Sequence, residues 1–164
     1  MTELRHPSTT GSERELLIEY LDWYRDAIVR KMDGASDETL RAQKVGSATT
    51  LLGIVKHLAW VEIWWFQIVF AGRDIEDPWS EENPDADWRI EPHETTDEIL
   101  AFYREACEES RAIVKATDDL DTKAVRPGKI YNLRRILIHM IEETARHAGH
   151  ADILRELIDG RVGQ

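Results

Sequence analysis

Along the chain, apolar residues recur three and four positions apart in four long stretches, and no comparable stretch alternates as a strand would. The first stretch carries Leu16, Leu17, Tyr20, Leu21, Tyr24, Ala27, Ile28 and Met32 on one side. Glu13, Glu19, Asp22, Arg25, Asp26 and Arg30 are expected to cover the other, solvent side. Ser12 and Glu15 form a capping box ahead of it and Gly34 closes it, which predicts a helix over about 12–33. Beyond a polar link with room for one turn at Asp37 to Leu40, Thr49 or Thr50 opens a second helix, which runs to about Ala71 and stops at Gly72. It is apolar nearly all round, which suits the middle of a bundle or a partner subunit. Lys56, His57, Glu62 and Gln67 interrupt it, so it does not read as a membrane span.

Residues 73–94 lose the periodicity and crowd with acids; Pro78, Pro84 and Pro92 rule out regular helix there. Trp79 and Trp88 are costly to leave in water and are expected to pin this segment onto the helices. A second capping box, Thr95 with Glu98, opens a third helix that Ile99, Leu100, Phe102, Tyr103, Ala106, Cys107, Ile113 and Val114 carry to about Ala116. Pro127-Gly128 marks a turn, Asn132 is a good N-cap, and Gly160 ends the fourth helix. The expected architecture is an all-α four-helix bundle with a long crossover between helices two and three. Residues 1–11 read as a flexible tail ahead of a single domain at 12–164.

Composition narrows the functions. The 164 residues carry a net charge of −11, which argues against nucleic acid or an anionic membrane surface as partner. The lone cysteine, Cys107, excludes an internal disulfide and lies among acidic neighbours that disfavour a thiolate, so it reads as a packing residue. The N-terminus lacks the apolar core of a signal peptide, and a cytoplasmic location is expected.

The chemistry concentrates in the fourth helix. His139, Glu143 and His147 stand four apart and form a column on one face, with His150 beside it. Glu143 and His147 are roughly 6 Å apart along the axis, a spacing at which both can grip one metal ion. His57, on the apolar second helix, is the candidate third ligand. Two imidazoles and a carboxylate leave a coordination position open, as in catalytic zinc sites, and also suit non-haem iron. His139 and His150 are candidates for supporting hydrogen bonds or proton transfer. The bland alternative stays open: Glu143 paired with Arg146 or Arg135 on a helix surface, His57 a hydrogen-bonded core residue, the other histidines at the bundle mouth. No HExxH, CxxC, phosphate-binding glycine loop or GxSxG occurs.

The segments LLGIVKHLAWVEIWWF and NLRRILIHMIEETARHAGHADILRELIDG resemble the DinB-like (YfiT-like) metalloenzyme superfamily, over about Ser12 to Gly160. The resemblance implies a four-helix bundle that holds a divalent metal through His57, Glu143 and His147. Glutamate at the middle position, where many members have histidine, is similar to the mycothiol-dependent maleylpyruvate isomerase branch. It further implies zinc first, with nickel, iron or manganese as alternatives, a low-molecular-weight thiol as co-substrate, a small-molecule substrate and a homodimer. Three functions follow as expectations: a thiol S-transferase or isomerase, a metal-dependent hydrolase, or a non-enzymatic stress-response protein that uses the acidic segment as its partner surface.

Overall fold

The computed structural model describes residues 6–162; the outer parts of the expected tail and C-terminus, 1–5 and 163–164, lie outside the described residues. Four long helices form the bundle: α1 (Glu13–Met32), α3 (Leu51–Glu62) continued by a π-helical segment (Ile63–Phe70), α4 (Thr96–Lys115) and α5 (Leu133–Asp159). A single-turn α2 (Asp37–Arg41) sits in the first link. Helix α1 packs chiefly on α5, and α3 on α4. The segment between the π-helical stretch and α4 contains no helix, as its prolines require.

The ends form as the sequence dictates. Ser12 accepts from the Glu15 amide while Glu15 reaches back to the Ser12 amide, and Thr95 and Glu98 do the same. Each such cap contributes about 0.5–2 kcal/mol. Asn132 accepts from the Arg135 amide, and Gly160 ends α5 with φ 74°, a left-handed conformation that glycine adopts without strain. His6 stacks on Trp23, and Ser8 donates to Glu19, so this part of the N-terminal segment lies along α1.

Two apolar clusters make the core, one around Leu51, Leu52, Ile54, Val55 and Leu58, the other around Val61, Phe66, Leu133, Ile136 and Met140. A buried ion pair accompanies them. Arg25, expected on the solvent side, is only 4% exposed and faces Glu62, which is 1% exposed. The guanidinium donates in a fork, Nε to Oε1 at 2.8 Å and Nη2 to Oε2 at 2.6 Å, while Nη1 donates to Asp22 at 2.9 Å. The expectation failed because charge usually marks the wet face; here the opposite charge waits on the neighbouring helix. Burial opposes the Arg25 charge, but Glu62 more than offsets it and raises the guanidinium pKa.

Cys107 is buried beside this pair. Burial, then the Glu62 carboxylate, push its pKa far above the ordinary thiol value. A raised folded-state pKa adds stability that is complete below the unfolded value and lost above it. Stability should therefore fall once pH passes about 8.5, by up to about 1.4 kcal/mol per pH unit from this group. Urea midpoints measured between pH 8 and 10 should decline less steeply in Cys107→Ala than in the parent. Parallel declines would contradict the assignment.

Candidate metal centre

The crossover segment is folded against α3 rather than loose above it. Gly53 makes this contact feasible: a Cβ there would stand 2.8 Å from the Trp88 carbonyl oxygen. Lys56 reaches out from α3 to the Arg89 carbonyl at 2.8 Å and the Glu94 carboxylate at 2.7 Å, clamping both ends of the turn. Trp79 meets Trp60 and Trp64 edge-on, and Trp88 stacks on His57 with ring centroids 4.0 Å apart and planes 16° apart. Both tryptophans thus anchor the segment, as their cost in water predicts.

The structure brings His57, Glu143 and His147 together: one ligand atom from each lies within 4.8 Å of the others. Glu143 Oε1 stands 3.3 Å from His57 Nε2 and 3.2 Å from His147 Nε2. The three side chains are 13%, 15% and 8% exposed, so the cluster is recessed yet reachable. Two hydrogen bonds, from His147 and then His57, hold the Glu143 carboxyl well below the usual carboxylate range despite burial. Burial would lower the His57 pKa, but its hydrogen bonds to Asp87 and Glu143 and their charges raise it.

The surface-pair alternative for Glu143 does not match this geometry. Arg146 comes only to 4.0 Å, is 58% exposed, and turns to Glu142 instead. Arg135 lies over the Tyr131 ring. His150 is exposed, with its Nδ1 3.4 Å from His147 Nδ1. Burial, then the neighbouring His147 and Arg146 charges, lower its pKa. His139 does not join the cluster: it sits edge-on against Trp65 and 3.4 Å from Glu142.

One residue escaped the sequence entirely. Asp87, 1% exposed, accepts from His57 Nδ1–H at 2.6 Å. That bond fixes the tautomer: the neutral ring then presents the Nε2 lone pair toward Glu143. The only available signal was an acid close to a tryptophan in an aperiodic, acid-rich segment, which does not separate Asp87 from Asp85 or Asp77.

The donors fit a divalent cation. Both Nε2 atoms face one carboxylate oxygen, an arrangement favourable only with protons or a cation between them. Contact between His147 and His150 through their Nδ1 atoms tolerates either tautomer of His147, because the exposed His150 can donate or accept.

Comparison with known proteins places the chain in a family. A family model described as mycothiol S-transferase matches residues 16–160. The chain belongs to the mycothiol S-transferase family. The crystal structure of a conserved protein from Enterococcus faecalis is similar, with a TM-score of 0.66 and 12% identity, over 93% of this chain and 100% of that one. At that identity the likeness concerns the fold alone, an all-α bundle. No curated protein sequence matches the chain. Membership of this enzyme family implies a small-molecule substrate, and among the described residues no helix is long and apolar enough to cross a membrane.

Proposed function

We propose that the chain is a metal-dependent S-transferase whose co-substrate is a low-molecular-weight thiol of the mycothiol type. His57, Glu143 and His147 would hold one divalent cation, zinc before nickel, iron or manganese. The observation that supports this most is the single oxygen Glu143 Oε1 set between two largely buried imidazole Nε2 atoms. Three protein donors leave a position for an exchangeable ligand, which closed structural sites lack. A cation there supplies the positive charge that brings a thiol's pKa into the neutral range.

The chain's own groups supply orientation and shielding. Asp87 holds His57 in one tautomer, and Trp88 covers its ring face. His150 lies exposed beside His147, placed to take up the proton that an incoming thiol releases. The nucleophile has to come from the co-substrate, since Cys107 is buried and kept protonated.

The test uses 1-chloro-2,4-dinitrobenzene, from which a thiol displaces chloride. The purified protein should contain about one divalent ion per chain, and conjugation should require both mycothiol and the metal. Dialysis against a chelator should abolish it, and re-addition of zinc restore it. Turnover indifferent to thiol would favour water in the open position and hence hydrolysis. Metal-free protein with full activity would sink the proposal. Asp87→Asn should weaken metal binding about 10–100-fold without unfolding the bundle, measured by competition with a chromophoric chelator.

A further inference from the structure

We propose a second ligand site, remote from the histidines, that takes a small amphipathic anion: one carboxylate on an apolar body. A cavity of about 570 Å³ opens between α1, α4 and the first part of α5. That size falls within the roughly 300–1,000 Å³ of small-molecule sites. None of His57, Asp87, Glu143 or His147 lines it. Its contribution from α5 is Leu137, six residues before Glu143 and so roughly 9 Å away along the helix axis.

The walls are apolar, formed by Ile18, Leu21, Val114 and Leu137. Four cations also border the cavity, but they are not equivalent. Arg25 is saturated by Glu62 and Asp22, and Arg111 by Asp22 and Glu108. Arg14 is not. Its Nη2 donates to the Val114 carbonyl at the end of α4, and its Nη1 is buried with no acceptor. Among the described residues no carboxylate pairs with Arg14, although the chain carries 32 acidic residues. Lys115, exposed, has no carboxylate ion pair among the described residues either; the acids of the lining are Asp22, engaged by Arg25 and Arg111, and Asp118.

Arg14 borders the cavity with its charge unmatched by any carboxylate among the described residues, and a ligand carboxylate seated there supplies the missing counter-charge. The apolar walls supply the rest of the recognition, and they discriminate against a bare inorganic anion because such an ion leaves them wet. The geometry therefore selects a carboxylate with a hydrocarbon or aromatic body, seated with its charge toward Arg14.

The probe is decanoate, below its micelle concentration, titrated calorimetrically into the full chain. Decanol and decyltrimethylammonium serve as neutral and cationic counterparts. One decanoate should bind per chain, with decanol about tenfold weaker and the cation weaker still. Arg14→Gln should weaken decanoate about tenfold and leave decanol unchanged. Ile18→Trp, which fills the cavity, should abolish both. Unfolding curves of each variant establish that it is folded. No decanoate binding to the parent, equal binding of decanoate and decanol, or an Arg14→Gln variant that binds decanoate undiminished would each overturn the site.

Discussion

Glu62→Ala is expected to lower the free energy of unfolding by about 3–5 kcal/mol, the usual consequence of stranding one member of a buried ion pair. Arg25 would lose both arms of its fork and keep only Asp22, while remaining buried between helices. A guanidinium is too basic to escape by deprotonation. A loss of that size removes a large share of the stability of a small domain. Converting both partners should behave differently. Arg25→Met with Glu62→Leu removes both desolvated charges and fills similar space, so its stability should lie near the parent's or above it. Urea unfolding of the two variants decides the matter. A Glu62→Ala protein within about 1 kcal/mol of the parent would mean that the pair is solvated after all.

His147→Ala should remove the metal. Changes to groups that only support a ligand typically weaken affinity about 10–100-fold, so deleting one of three donors should exceed about 100-fold. After dialysis, the metal content should drop from about one ion per chain to near none. His139→Ala is the matched control, since that ring lies against Trp65 and Glu142 and should leave the metal content intact. His147 also touches the rings of His57 and Trp88, so the variant's fold must be measured in the presence of chelator. Unchanged metal in His147→Ala would place the ion elsewhere.

What a single helix decides by itself was legible from the residues. Apolar spacing and caps located all four long helices to within a residue or two, because hydrogen bonds and Cβ directions repeat every turn. The same repeat placed Glu143 and His147 on one face; His57 was a candidate as the histidine of the apolar second helix, and the resemblance to known proteins strengthened that choice. The π-helical continuation of α3 was not legible. Residues 63–70 are apolar on nearly every side, so a wider turn shifts no stripe that could reveal it.

Tertiary structure alone decided three matters. It chose Asp87 from the many acids of an aperiodic segment, because only the docking of Trp88 on His57 and of the backbone on Gly53 brings that one carboxylate to Nδ1. It turned Arg25 inward, since the rotation of α1 about its axis depends on Glu62 across the interface. It also left Arg14 without a carboxylate, which no local pattern encodes. Periodicity is a property of one segment, whereas the partner of a charge is a property of two.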